Sequence, residues 1–316
     1  MKMSNSYLAI DTSNYTTSTA LYKNGEILQA KKLLPVKKGE LGLRQSDAVF
    51  HHTAQLPQMI EQLSAMAELN LITAIGASFT PRPVQGSYMP CFTVGSGFAR
   101  ALSAVMNVPL YAFSHQQGHI AAAIYSSKQF NLFNEKHLAF HISGGTTEAL
   151  IVTPDNENIL SATLVGKTLD LNAGQLVDRV GVMLELPFPC GKHIEQLALN
   201  FLGKIKTKPT IKGCDCCLSG VQNICEKMYK NEVPKEEISA YVLKYIEDTL
   251  YKMTINIFEE YGKMPVLFSG GVMSNSIIRN NLTEKLGAYF AQPEFSTDNA
   301  AGIAVLTAIR NKEALI

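Results

Sequence analysis

The chain has 316 residues, a length that suits two lobes of about 150 residues each better than one small core. Hydrophobic residues make up 46% and charged residues 17%, as in an ordinary globular protein. The formal net charge of +1 excludes a global basic field, so contact with nucleic acid would need a local patch or a partner.

The cysteines and the first residues predict a cytoplasmic protein. Four of the six cysteines crowd into residues 214–225, which is not a disulfide framework, and a chain of this length needs no covalent staples. The apolar run Tyr7–Ile10 is too short for the core of a signal peptide. No stretch approaches the roughly 18 apolar residues of a membrane span, so we expect no membrane contact.

Hydrophobic periodicity and turn residues predict the elements in chain order. The first part has strands at 7–11, 17–22 and 27–31, a helix at 46–69, a strand at 74–79, a helix at 94–106 and a strand at 109–113. Strands at 137–142 and 148–153 follow, then helices at 171–184 and 194–202, a loop rich in Lys, Gly and Cys at 203–217, and a long helix at 234–261. A strand at 266–268, a helix from 274, a strand at 289–290 and a helix from 298 to 310, with Thr297 as N-cap, complete the chain.

A unit of strand, tight Ser/Thr loop and strand occurs twice, around residues 10–17 and 141–147. This repetition predicts two related lobes that face a cleft. We assign residues 1–113 and 297–316 to the first lobe and residues 114–296 to the second.

His115 and His119 are four residues apart, so a helix would place both imidazoles on one face. Neutral imidazole nitrogens suit zinc or iron, and a carboxylate at the start of a distant helix, such as Asp298, would supply a third ligand. Taken alone, the spacing is more typical of two surface or core histidines.

Two Ser-Gly-Gly turns follow apolar strands, at residues 143–145 and 269–271. Glycine lets the backbone approach a ligand and leaves N–H groups that can hold phosphate oxygens, although each turn alone also fits a structural role. Together with the Asp11-Thr12-Ser13 turn, they favour a nucleotide cleft. Asp170 and Asp178, eight residues apart on a predicted helix, would face that cleft or solvent.

These motifs together resemble the TsaD family of tRNA threonylcarbamoyladenosine biosynthesis proteins, once described as O-sialoglycoprotein endopeptidases. The matching segments occur in family order across about residues 7–305. They are Asp11-Thr12-Ser13, His115-x-x-Gly118-His119, Ser143-Gly144-Gly145-x-Thr147, Gly166-Lys167-Thr168-Leu169-Asp170, Ala173-Gly174-x-x-x-Asp178, Ser219-Gly220, Ser269-Gly270-Gly271-Val272-x-x-Asn275 and Thr297-Asp298-Asn299-Ala300-Ala301.

The resemblance implies an α/β, two-lobed fold like those of actin, hexokinase and heat-shock ATPases (ribonuclease H-like), with a central nucleotide cleft. It implies one divalent metal, iron or zinc, held by His115, His119 and Asp298, and an adenine nucleotide or acyl-adenylate. The nucleotide and substrate residues that it implies are Ser13, Ser143, Gly144, Gly145, Thr147, Asp178, Gly191, Gly270, Gly271 and Asn275. No residue is assigned a catalytic role.

The resemblance also implies a reaction, the transfer of threonylcarbamoyl from threonylcarbamoyl-adenylate to N6 of the tRNA adenosine beside the anticodon. tRNA is then the expected partner, together with the subunits of a threonylcarbamoyl-transfer complex. The old peptidase description has no support, because the His pair lacks the Glu of a His-Glu-x-x-His motif.

Departures from the family pattern concentrate around the expected nucleotide pocket. The family's Cys-Asp-Glu is Asn14-Tyr15-Thr16, its Gly-Pro-Gly is Pro81-Arg82-Pro83, and its Pro-Gly-Gly-Pro is 189–192, with Lys192 at the end. Single departures are Thr146 for His, Leu171 for Asp and Gln175 for Glu. This pattern suggests a divergent paralogue that keeps the metal centre, with Arg82 and Lys192 adding positive charge to an altered pocket.

Two alternatives to threonylcarbamoyl transfer stay open. One is a carbamoyltransferase that acts on another small molecule or nucleotide. The other is a non-catalytic, nucleotide-binding partner of a TsaD-like complex.

Overall fold

A computed structural model describes residues 5–13, 15–35, 43–84, 86–297 and 299–313. The chain divides into two compact units. The first consists of Met1–Asn134, Pro154–Ser161 and Thr297–Ile316, and the second of Glu135–Thr153 and Ala162–Ser296. The first unit therefore runs beyond the boundary expected at residue 113, because the helix that begins at His115 packs on the first unit's strands and C-terminal helix.

Strands and helices occur in the order that the hydrophobic pattern indicates, with additions. The strands are β1 Ser6–Asp11, β2 Thr16–Lys23, β3 Glu26–Leu33, β4 Ile72–Thr80, β5 Leu110–Ser114, β6 His137–Ile142, β7 Thr147–Asp155, β8 Ile159–Lys167, β9 Thr210–Lys212, β10 Asp215–Cys217, β11 Val266–Ser269 and β12 Tyr289–Phe290. The helices are α1 Gln45–Met66, α2 Phe92–Met106, α3 His115–Ser127, α4 Ala173–Met183, α5 Gly191–Leu199, α6 Ser219–Lys230, α7 Lys235–Tyr261, α8 Ser276–Leu286 and α9 Ala301–Arg310.

The first unit is built on a five-stranded sheet in the order β3-β2-β1-β4-β5. β1 is antiparallel to β2 and parallel to β4, and β4 is parallel to β5. Asn24 and Gly25 both have positive φ, as a two-residue turn between β2 and β3 requires. Apolar residues of β1, β4, α1 and α2 form the core of this unit.

The second unit repeats that topology with a sheet in the order β8-β7-β6-β11-β12. β6 is antiparallel to β7 and parallel to β11, and β11 is parallel to β12. The core of this unit lies between the sheet and α4 to α8. The repeated strand–loop–strand unit of the sequence thus corresponds to two sheets of the same order.

The prediction of a loop at residues 203–217 is wrong for the second half of that segment, which forms the hairpin of β9 and β10. Gly213 has a φ of +61° and permits the turn. Cys214 and Cys216 are buried in the core of the second unit, and burial raises the pKa of Cys216 to about 12. The cysteines that looked like loop residues therefore act as small apolar side chains.

Two helix starts also differ from the prediction. The last helix begins at Ala301 with Ala300 as N-cap, so the prediction of Thr297 as N-cap is wrong; Asn299 Oδ1 accepts the Ala301 N–H at 3.0 Å. The helix predicted from residue 171 begins at Ala173, and Asp170, which was predicted to lie on that helix with Asp178, precedes it. The sequence pattern also missed β8 and α6.

Within the described residues, none of the helices is both long and apolar enough to cross a membrane.

Candidate functional site

The His pair lies in the first two turns of α3, where a capping box fixes the helix start. The Ser114 hydroxyl accepts the Gln117 N–H at 3.2 Å, and Gln117 Oε1 accepts the Ser114 N–H at 2.8 Å. Ser114 also ends β5, so strand and cap together hold His115 in position. His115 and His119 therefore lie on one helix, as their four-residue spacing predicts.

The two imidazoles converge through their Nε2 atoms, which lie 2.8 Å apart. The ring centroids are 4.3 Å apart, and both side chains are only partly exposed. Two ligands of a tetrahedral zinc, each about 2.1 Å from the metal, would lie about 3.4 Å apart. A small separation of the rings would therefore let His115 and His119 share one metal.

Asp11 and Ser13 hold the opposite nitrogen of His115. Asp11 Oδ2 and Ser13 Oγ each lie 2.9 Å from His115 Nδ1, and Ser13 Oγ donates to Asp11 Oδ1 at 2.5 Å. A carboxylate on the non-ligating nitrogen is the usual support of a metal-bound histidine, because it fixes the tautomer and the ring orientation. The sequence predicts Ser13 at a nucleotide, and that stays a prediction; the structure adds that the Ser13 hydroxyl contacts the His115 imidazole.

Asp11 is buried, and its environment favours the ionised form. Burial opposes ionisation, but the neighbouring His115 and the hydrogen bonds from His115 and Ser13 outweigh it and hold the pKa of Asp11 below its usual range. The donor set therefore offers an anionic support for a cation at the imidazoles.

The third expected ligand, Asp298, lies outside the described residues. In the described part of the chain, no three His, Cys, Asp or Glu side chains are grouped to hold a metal. The helix that begins shortly after residue 298, α9, packs closely on α3, which carries the His pair. A Cβ at Gly302 would clash with Gly118 O, so glycine is required at this crossing.

The first Ser-Gly-Gly turn joins β6 to β7 in the second unit. Ser143 N donates to Thr146 O at 2.7 Å and Ser143 O accepts the Gly174 N–H at 3.1 Å, which anchors the turn to the start of α4. Gly144 and Gly145 are exposed, and a Cβ at either would meet nothing within 4 Å. Their N–H groups donate to no acceptor among the described residues, so they can receive an anion.

The second Ser-Gly-Gly turn follows β11 and lies against the end of β6. Gly270 has a φ of +98°, and a Cβ there would clash with Ile142 O, so only glycine fits. Gly271 is exposed with open space around it. Asn275 caps α8 by accepting the Ile278 N–H at 3.1 Å and is buried. Within this unit the two glycine turns are thus neighbours.

Asp178 and Gly191 meet at the start of α5. Asp178 Oδ1 accepts the N–H of Cys190 at 2.9 Å, and Cys190 is the N-cap of α5. Gly191 is exposed, and a Cβ there would meet nothing within 4 Å. Thr147 is buried, and its hydroxyl accepts the Ala173 N–H at 2.9 Å. Asp178 and Thr147 therefore each hold the start of a helix beside the turns.

A row of polar side chains that sequence reasoning missed crosses three strands of the second unit. His141 pairs in register with Ser269 of β11 and with Glu148 of β7. His141 Nδ1 lies 3.2 Å from Ser269 Oγ, which donates to Phe140 O at 3.0 Å. The alternation of residues along a strand predicts which face of the sheet His141 lies on. It does not predict that β11, which is distant in sequence, lies beside it in the sheet.

The structure gives the local setting of three departures from the family pattern. Leu171 is buried in the core, where a second aspartate would be an unpaired charge. Gln175 completes a capping box with Asn172 at the start of α4. The Thr146 N–H donates to Ser143 Oγ at 3.2 Å within the glycine turn.

Comparison with known proteins identifies the chain's relatives. The family model TsaD, described as tRNA N6-adenosine threonylcarbamoyltransferase, matches residues 34–305. The tRNA N6-adenosine threonylcarbamoyltransferase of Thermosipho africanus is 30% identical over 315 residues, which cover 94% of this chain and 92% of that protein. The one from Methanopyrus kandleri is 28% identical over 89% of this chain and 80% of its own length.

Solved structures with the same fold are more distant in sequence. Full-length HypF in its phosphate- and nucleotide-bound form has a TM-score of 0.61 at 15% identity, covering 97% of this chain and 55% of that one. Component A of the (R)-2-hydroxyglutaryl-CoA dehydratase of Acidaminococcus fermentans has a TM-score of 0.57 at 16% identity, covering 98% and 99%. They confirm the α/β fold class of actin, hexokinase and heat-shock ATPases, here with two mixed five-stranded sheets.

Proposed function

Because the chain belongs to the TsaD family, we propose that it transfers a threonylcarbamoyl group from threonylcarbamoyl-adenylate to N6 of the adenosine beside the anticodon of tRNA. The observation that carries this proposal is the joint presence of the family match over residues 34–305 and a supported His pair at the start of α3. The two relatives named above are both called tRNA N6-adenosine threonylcarbamoyltransferase.

We assign one divalent metal, iron or zinc, to His115, His119 and Asp298. The contact of Asp11 with His115 Nδ1 and the close crossing of Gly118 with Gly302 support this assignment. Such a metal supplies Lewis-acid chemistry to carbamoyl or phosphate oxygens. The role of Asp11 is to hold His115 in the tautomer and orientation that ligation needs.

We assign the adenylate to the glycine turns of the second unit. The exposed residues Gly144 and Gly145, with Gly271 and Gly191 in the same unit, offer backbone N–H donors to phosphate oxygens. Asp178 contributes by holding the start of α5 and offers its second oxygen to ribose hydroxyls. These contacts hold the acyl-adenylate and orient its carbamoyl carbon.

In the proposed reaction the N6 amine attacks the carbamoyl carbon. The bond from that carbon to the phosphate oxygen breaks, AMP leaves, and N6 loses one proton. The amine is weakly basic, so orientation of the two reactants and stabilisation of the leaving phosphate contribute more than a strong general base. The glycine N–H groups supply that stabilisation.

Complementation tests the proposal. The chain is expressed, with and without its host's partner subunits, in cells depleted of their own TsaD, and threonylcarbamoyladenosine in tRNA is measured by mass spectrometry. We expect the modification to return, and to fail to return with a His115→Ala/His119→Ala variant. If the wild-type chain restores nothing even with partner subunits supplied, threonylcarbamoyl transfer is the wrong reaction.

The departures at Asn14-Tyr15-Thr16 favour one second candidate, a carbamoyltransferase acting on another small molecule or nucleotide, because two family carboxylates are missing there. Release of AMP from carbamoyl-adenylates without modification of tRNA would support it. Nucleotide binding with no release of AMP would instead support a non-catalytic partner.

A further inference from the structure

The segment 203–213 carries a row of exposed lysines in the second unit. We call Lys204, Lys206, Lys208 and Lys212 the lysine row. Exposed residues alternate along the segment with partly buried ones, so that all four lysines lie on the outer side. The segment contains no acidic residue, so its formal charge is +4, whereas the net charge of the whole chain is +1.

Side chains of α7 fix the backbone of this segment. Thr207 Oγ1 donates to Asp248 Oδ2 at 2.6 Å. Tyr245 OH accepts the Thr210 N–H at 3.0 Å and donates to Lys208 O at 3.2 Å. Ile211 packs against the core. The lysine row is therefore presented from an anchored backbone.

The ammonium groups of the lysine row stand outside the ion pairs of the second unit. Within the part of the chain that the structure describes, none of the four lysines forms an ion pair. Asp215 lies opposite Lys212 in the hairpin and accepts the Lys167 N–H at 2.8 Å through Oδ1, so the row outnumbers this one carboxylate by four charges to one. A concentrated positive field therefore faces solvent along the segment.

We propose that the lysine row binds the phosphate backbone of tRNA; this inference rests on the proposed function. Lys204, Lys206 and Lys208 follow one another at two-residue intervals, about 6.6 Å apart in an extended segment, which suits successive phosphates along one strand; Lys212 lies four residues further on. Lysine acts on phosphate as a point charge, and no aromatic side chain alternates with the row to stack on bases. The row therefore positions tRNA without reading its sequence.

An anionic lipid surface is the competing occupant. Leu199 and Leu202, just before the row, are 58% and 97% exposed. Two leucines at one end of the row give little apolar area for insertion into a bilayer. A linear arrangement of charges matches a linear polyanion better.

The test compares the full chain with a Lys204→Gln/Lys206→Gln/Lys208→Gln/Lys212→Gln variant. Binding of an unmodified tRNA transcript is measured by fluorescence anisotropy between about 50 and 200 mM salt. Each lysine–phosphate contact contributes about 0.7–0.9 to the salt slope, so we expect the slope to fall by about 3 and the affinity by at least about tenfold. The matched control is a second variant in which four exposed lysines elsewhere are replaced by glutamine. These lysines are Lys32, Lys227, Lys230 and Lys263. The control should bind tRNA nearly as the wild type does.

Further arms separate the different outcomes. A variant with arginine at all four row positions should keep binding, and circular dichroism should show that every variant is folded. If the wild type and the glutamine variant bind tRNA equally well, the proposal that the lysine row binds tRNA is wrong, and the proposed function is unaffected. A wild-type chain that binds no tRNA overturns both. Row-dependent binding to phosphatidylserine vesicles, with tRNA binding unaffected, would assign the row to lipid.

Discussion

At the scale of single residues, the proposed metal site depends on the two nitrogens of one imidazole. His115 contacts His119 through Nε2 and Asp11 through Nδ1. The ligand face and the supporting face of the ring are therefore set by different parts of the chain. The two faces should respond differently to substitution.

We predict that His119→Ala abolishes stoichiometric metal binding, because it removes a ligand. Asp11→Asn should lower the affinity for metal by about 10- to 100-fold, because it weakens the support of His115 without removing a ligand. Mass-spectrometric metal content and competition with a chromophoric chelator measure both effects after loading with Zn²⁺ or Fe²⁺.

The control for this pair is His51→Ala, a partly exposed histidine on α1 that should leave metal binding unchanged. One equivalent of metal retained by His119→Ala would contradict the assignment. An Asp11→Asn variant that is folded and binds metal as the wild type does would contradict the supporting role.

At the scale of elements, Asp170 shows how a distant residue starts a helix. Its carboxylate accepts the Leu218 N–H at 2.8 Å, the Ser219 N–H at 3.2 Å and the Ser219 hydroxyl at 2.6 Å, at the first turn of α6. Partial burial opposes ionisation, but these bonds and one from Leu171 N hold the pKa of Asp170 below its ordinary value. Asp170 is thus the cap that α6 lacks in its own sequence.

We predict that Asp170→Ala lowers the free energy of unfolding by about 1 kcal/mol at pH 7, the usual effect of losing a cap. The folded pKa is depressed, so the contribution is complete above the unfolded pKa of about 3.9 and is lost as the pH falls through the folded value. Urea unfolding of both proteins between pH 7 and pH 3 should show the difference shrinking in acid.

Asp47→Ala, in the first turn of α1, is the matched control. It should change stability by only a few tenths of a kcal/mol, because Asp47 acts there mainly on the helix dipole. A difference between wild type and Asp170→Ala that stays constant down to pH 3 would show that the carboxylate charge is not what caps α6.

At the scale of the whole molecule, the two proposed ligands belong to different units. The His pair lies in the first unit, and the glycine turns lie in the second. Each unit has its own hydrophobic core. A ligand should therefore protect its own unit first, since local opening of the backbone is governed by local contacts.

We predict that saturating Zn²⁺ slows amide hydrogen exchange in α3, and that an adenylate analogue slows it in the 143–147 turn and at the start of α4. Metal at about 100 times its dissociation constant should stabilise the site by about 2.7 kcal/mol. Peptide-resolved exchange mass spectrometry measures both, with β3 as an internal reference. Protection by Zn²⁺ of the glycine turns but not of α3 would place the metal elsewhere.

Much of the fold followed from local pattern. The helix α7 and the strands β1, β6 and β11 lie within a residue or two of their predicted bounds, because apolar periodicity is strong there. The hairpin of β9 and β10 and the helix α6 were missed. The hairpin is stabilised by burial of its own Cys214 and Cys216 in the core, and α6 by the carboxylate of Asp170, and both effects appear only once distant segments meet.

Spacing and motif order are properties of the chain, so the sequence alone was enough to identify the family, to order most of the strands and helices, and to predict that His115 and His119 share one face of a helix. The contacts of Asp11 and Ser13 with His115, of Asp178 with the start of α5, and of the lysine row with α7 become visible in the folded chain. These contacts join residues that are 12 to 104 positions apart in the chain, beyond the reach of local preference, so packing selects the partner.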